Sequence, residues 1–85
     1  MKLKIGQKYE IKWVDTFSYN GWYSNKELKE KSKEMYQFIT SVGIFAGEYF
    51  GFIILANHRD LSRSDSYWGH PNWIPKTGVK KIKKL

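Results

Sequence analysis

Between residues 36 and 57 the chain is rich in β-branched and aromatic side chains, and this stretch limits the fold more than any other. Its longest apolar run, from Val42 to Ala56, is broken by Glu48 and carries Gly43, Gly47 and Gly51. A membrane-spanning helix needs about 20 apolar residues, so the run reads as core β structure and no membrane partner is expected. Residues 36–45 and 49–57 have strand composition, and Ala46-Gly47-Glu48 between them reads as a hairpin turn. These two strands are expected at the centre of a sheet. Gly43 and Gly51 are expected to allow the bending that a small barrel requires.

Residues 7–14 alternate, with Tyr9, Ile11 and Trp13 on one face and Lys8, Glu10 and Lys12 on the other, the pattern of a half-buried strand. Asn20-Gly21 is a turn signal, followed by Trp22 and Tyr23. Ser24 and Glu27 stand at capping-box spacing, and Glu27 and Lys31 at i,i+4 spacing, so a short helix is expected over about 25–35. Its apolar residues are few, mainly Leu28 and Met35, so it should be mostly solvated and lie over the domain. Residues 58–72 are polar and read as a long loop, of the kind that carries function. Trp73-Ile74 is a short strand, a turn follows over 75–78, and residues 79–85 alternate again, with Val79 and Ile82 placed for burial. Trp13 and Trp73 lie in strand patterns and are assigned to the core. The expectation is one mainly β domain over 1–85. It has five or six antiparallel strands closed into a small barrel that hides its edges, with one short α-helix inserted.

A chain of 85 residues buries only roughly 60–65% of its unfolded surface, so small domains of this size draw on disulfides, metals or self-association. There is no cysteine, and only His58 and His70 offer nitrogen ligands, so neither a disulfide nor a structural metal is expected. A dense aromatic core, from a composition of 18% Phe, Trp and Tyr, and a homo-oligomer are the remaining means. The lack of cysteine and of a signal peptide fits a reducing cytoplasm. The net charge of +7 lies at the ends, with +3 in residues 1–14 and +5 in residues 76–85. If those ends pair as neighbouring strands, their lysines form one basic face, suited to a polyanion or serving only solubility.

Catalysis finds no support: no cysteine nucleophile, Gly-x-Ser-x-Gly elbow or phosphate-binding glycine loop is present. Asp60 and Asp65 share a loop with His58 and His70, but their spacing matches no metal-ligand motif, and Arg59 and Arg63 would repel a cation. No cofactor is implied. Binding is better supported. Nucleotides need flat apolar surfaces for bases and charged donors for phosphates. Tyr19, Trp22 and Tyr23 flank the Asn20-Gly21 turn, and Tyr67 and Trp68 share the long loop with both arginines of the chain, against thirteen lysines elsewhere. Arginine can grip a phosphate through two parallel bonds, which lysine cannot. His58 and Lys76, the latter after the Ile-Pro turn, complete the candidate set. The alternatives stay open for each: the tyrosines and tryptophans can be loop anchors, and the terminal lysines a solvated strand face.

The segment GHPNWIPKTGVKKIKKL resembles the closing segment of SH3-like and Sm-like barrels, with Trp73, Ile74, Pro75, Val79 and Ile82 at the matching apolar and turn positions. A longer resemblance is to a group of short phage- and prophage-encoded proteins. It runs through Trp13-Val14-Asp15, Gly21-Trp22, Ser41-Val42-Gly43, Ile54-Leu55-Ala56 and Ile74-Pro75-Lys76. Some small phage proteins of this general kind are sponges of the anti-CBASS type, oligomers that sequester the cyclic nucleotide signals of bacterial antiphage defence. The resemblance implies a cyclic di- or trinucleotide ligand, immune evasion and residence in the bacterial host cytoplasm. Two other functions remain open, a nucleic-acid-binding SH3- or Sm-like module and a protein-interaction module that inhibits a host protein.

Overall fold

A computed structural model describes residues 2–16, 22–33, 36–62 and 66–85. In chain order the elements are β1 (Lys8–Thr16), α1 (Asn25–Ser32), β2 (Tyr36–Tyr49), β3 (Phe52–Ala56), β4 (His58–Asp60), β5 (Tyr67–Gly69), β6 (Asn72–Pro75), a 3-10 turn (Lys76–Gly78) and β7 (Val79–Lys84). Five strands form one antiparallel sheet in the order β6-β3-β2-β1-β7, and β4 and β5 pair separately as a two-stranded ribbon. The described residues are therefore mainly β with one α-helix, as the sequence suggests. Two expectations need correction. The described strands number seven, not five or six, because residues 58–72 are not a plain loop: their two ends pair as β4 and β5. And the sheet does not close into a barrel, since its edge strands β6 and β7 do not pair with each other.

The register nevertheless forces the sheet to curl. At one end of β2, Ile39 lies beside Trp13, which lies beside Val79; at the other end, Tyr49 lies beside Phe52, which lies beside Pro75. Ile39 and Tyr49 are about ten residues apart along the strand, or ~33 Å. Yet the link from Pro75 to Val79 is only the 3-10 turn, which reaches at most about 14 Å. A flat sheet cannot satisfy both distances. The bend falls where β2 changes partner: its first part pairs with β1, its last part with β3, and a bulge sits between Phe45 and Gly47. Ala46-Gly47-Glu48 is thus this bulge rather than the expected turn. The turn comes at Phe50-Gly51, where φ values of 51° and 83° put both residues in the left-handed region that a two-residue hairpin loop needs. Of the two glycines expected to permit bending, Gly51 makes that turn. Gly43 instead keeps room for β3, since a Cβ there would lie 2.8 Å from the Ala56 carbonyl.

The core fills the inner side of the curl with Tyr9, Ile11, Trp13, Phe45, Ile53, Leu55 and Ile74, and Leu3, Ile39, Val79 and Ile82 pack around it. Each such side chain contributes about 1.5–3 kcal/mol when fully buried. Tyr9 meets Phe45 edge-on, with ring centroids 6.3 Å apart. The polar ends are satisfied as well: Trp13 Nε1 donates to Ser41 Oγ at 3.0 Å, and Tyr9 Oη accepts the Lys4 N–H at 2.9 Å. Trp13 is in the core as expected. Trp73 is not; it is 53% exposed, because β6 alternates and Ile74 takes the inward position. The helix ends at Ser32, three residues before the expected end at 35 (residues 34 and 35 lie outside the described residues), with the Ser24–Glu27 capping box formed in both directions. None of its residues is buried, so it adds nothing to the core.

Candidate ligand-binding site

The β4–β5 ribbon stands on the outward side of the β3–β6 half of the sheet. Cross-strand pairing puts Arg59 directly opposite Trp68 on one face of the ribbon, which leaves His58, Asp60 and Tyr67 on the other. The Arg59 guanidinium lies over the Trp68 ring, 4.8 Å from its centroid. Its Nε and Nη2 both donate to Ser66 Oγ, each at 3.1 Å. The third nitrogen, Nη1, sits against the Gly6 backbone, so close that a Cβ on Gly6 would lie 2.6 Å from it. Gly6 also has φ of 87°, so glycine suits this position twice over. Gly6 is held there by the strand-like exchange of Gly6 N–H to the Phe45 carbonyl and Phe45 N–H to the Gln7 carbonyl. No carboxylate among the described residues pairs with Arg59.

Below this group a cleft of about 540 Å³ opens, lined by Ile5, Tyr49, Ile54, Arg59, Trp68 and Trp73 among others. That volume suits a small molecule. Tyr49 and Trp73 are more than half exposed and supply flat apolar surface, while Ile54 closes the floor. The ribbon is shaped by Asp60, whose Oδ1 accepts from the Ser62 N–H at 2.9 Å and the Ser62 hydroxyl at 2.6 Å. The hydroxyl bond, then the backbone bond, holds the Asp60 carboxyl below its usual range.

Of the residues singled out in the sequence, Arg59 and Trp68 meet in the cleft. Tyr67 is the neighbour of Trp68 and faces the other side of the ribbon, 56% exposed. His58 leaves the cleft too: its ring lies 5.9 Å from that of His70, and it lines a different groove with Lys8, Val42, Ile44 and Asn57. Lys76 is drawn away by Glu48, with Nζ 3.1 Å from Oε1, and borders a pocket with Lys2, Leu3 and Phe45. Trp22 is fully exposed, and Tyr23 serves the helix, with Lys31 Nζ 5.3 Å from its ring centroid. Tyr19 and Arg63 lie outside the described residues. Among the described residues no group of three or more His, Cys, Asp or Glu could hold a metal, and no helix is long and apolar enough to cross a membrane.

The cleft also contains residues the sequence reading did not select. Trp73 had a signal: in a strand reading Trp73-Ile74, only one of the two can face the core. Tyr49 was hidden by placing the turn too early. Ser66 and Gly6 carry no local signal, since their roles depend on where Arg59 ends up. Comparison of the chain with protein-family models, with curated proteins and with solved structures finds no match.

Proposed function

We propose that this chain is a non-catalytic binding protein that takes a nucleotide-type anion in the β4–β5 cleft, and that it acts as an oligomeric, phage-type sponge for a cyclic di- or trinucleotide signal. The observation that carries the reading is the Arg59 guanidinium, stacked on Trp68, unpaired with any carboxylate among the described residues, and set at the rim of a cleft walled by Tyr49 and Trp73. Stacking on an aromatic and the two bonds to Ser66 Oγ fix the guanidinium plane, and the N–H groups of Nη1 and Nη2 that do not point at Ser66 are those that would meet a phosphate. The flat walls offer a base a stacking surface worth about 1–3 kcal/mol per aromatic. The SH3-like reading of the fold is supported by the strand order and by the short 3-10 turn that returns β7 to pair with β1. The sponge role itself rests on the sequence resemblance.

Calorimetry against a panel of cyclic di- and trinucleotides tests the reading. At least one should bind more tightly than about 10 μM, or −7 kcal/mol. Trp73→Ala, at a half-exposed position, should weaken that binding about tenfold or more. Failure of the whole panel at 10 μM sinks the proposal. Native mass spectrometry of the purified protein reports the subunit number and any retained nucleotide together.

A further inference from the structure

A second surface lies on the outward side of the other half of the sheet. Because β1 pairs with both β2 and β7, its outward residues form rows that cross three strands. One row runs Lys81, Lys12, Thr40, and the next runs Lys83, Glu10, Val42. Lys8 lies beside Ile44 in the row beyond, and Phe38 beside Val14 in the row before. Lys8, Lys12, Lys81 and Lys83 are all exposed, and no carboxylate among the described residues forms an ion pair with any of them. Beside these lysines, on β2, Phe38 is 80% exposed and Val42 is 46% exposed. A groove of about 440 Å³ continues the surface past Lys8, Val42 and Ile44 to His58.

We infer that this β1–β2–β7 face binds single-stranded nucleic acid, independently of the cleft. The lysines of β1 and β7 supply positive charge on one side of the face for a phosphate backbone. On the other side Phe38 supplies the stacking ring for an unpaired base, and Val42, one row past Thr40, a second apolar contact. A duplex hides its bases and gains nothing from Phe38, which is why the single strand is the occupant that fits. Four lysines neutralising about four phosphates give a slope of log K against log salt near −3.

The test is fluorescence anisotropy of a labelled oligothymidine of twelve nucleotides, and of a duplex of the same length, between 50 and 200 mM salt. The single strand should bind more tightly than the duplex, with a slope near −3. Phe38→Thr, which keeps strand propensity at an exposed position, should weaken binding about tenfold. The pair Lys12→Glu and Lys81→Glu should weaken it further, and Arg59→Ala should leave it unchanged. Amide shift changes on adding the oligonucleotide should fall on β1, β2 and β7, reach the ribbon only at His58 where the groove ends, and leave Arg59 and residues 66–68 unmoved, a readout that needs no variant. Equal or tighter duplex binding, no effect of Phe38→Thr, or shifts confined to the ribbon would each overturn the inference. Because the cleft and this face are probed by different variants, either can fail alone.

Discussion

On the β3–β6 half of the sheet, the outward residue Ile54 is covered and only 9% exposed; on the β1–β2–β7 half, the outward Val42 is 46% exposed beside Glu10, with Lys83 beyond it and Lys12 in the next row. Both are β-branched aliphatic residues in central strands, and both follow the same two-residue alternation. What separates them is the ribbon. The chain between β3 and β6, two strands that pair directly, makes a detour through β4 and β5 that roofs one outward face and leaves the other bare. An outward apolar residue under the roof becomes the floor of a cleft. On the bare face it becomes part of a surface among lysines.

The largest break in this comparison comes from truncating the two residues in parallel. Ile54→Ala should destabilise by about 2–4 kcal/mol, because the roof cannot fully collapse onto the lost volume. Val42→Ala should change stability by less than about 0.5 kcal/mol. Urea denaturation of both proteins measures the difference, and equal effects would mean that the ribbon does not seal the sheet. A smaller effect is expected at the roof's other support. Gly6→Ala puts a methyl group against Arg59 Nη1 at a backbone φ of 87°. It should cost about 1–2 kcal/mol and displace the guanidinium from Trp68, read as a change in tryptophan fluorescence. No matching change is expected in amides of β7.

Much of the bare half is legible in the sequence. Tyr9, Ile11 and Trp13 against Lys8, Glu10 and Lys12 gives the first strand and both of its faces, and the lysine-rich ends do pair as neighbours, with Lys12 beside Lys81. The reason is that a regular two-residue period needs no knowledge of distant partners. The covered half is less legible. The β2–β3 turn was hidden because Phe50 takes the left-handed conformation that a sequence reader assigns to Gly or Asn. The ribbon was hidden because strands of three residues, His58-Arg59-Asp60 and Tyr67-Trp68-Gly69, are too short to show a period. The arginine–aromatic association of Arg59 with Trp68 could be suspected from their shared segment, but Gly6, Ser66 and Trp73 join it only through tertiary placement.

The smallest expected effect separates the two halves by pH. The folded protein holds Asp60 below its ordinary carboxylate range through its bonds from Ser62, so the ribbon gains stability from the ionised form. That gain is present above the unfolded value and is lost as pH falls through the lowered folded one. Acid should therefore loosen the roof: the Ser62 amide should exchange faster below the usual carboxylate range, after the known intrinsic pH dependence of exchange is removed. Asp60→Asn keeps an acceptor for the Ser62 N–H but carries no titrating charge, so the pH dependence should flatten in that variant. Amides of β1 and β7 bonded within the sheet should show no such step at the same pH. A step of equal size on both halves would mean that the ribbon and the lysine face open as one unit, and that the roof is not a separately tunable part of the molecule.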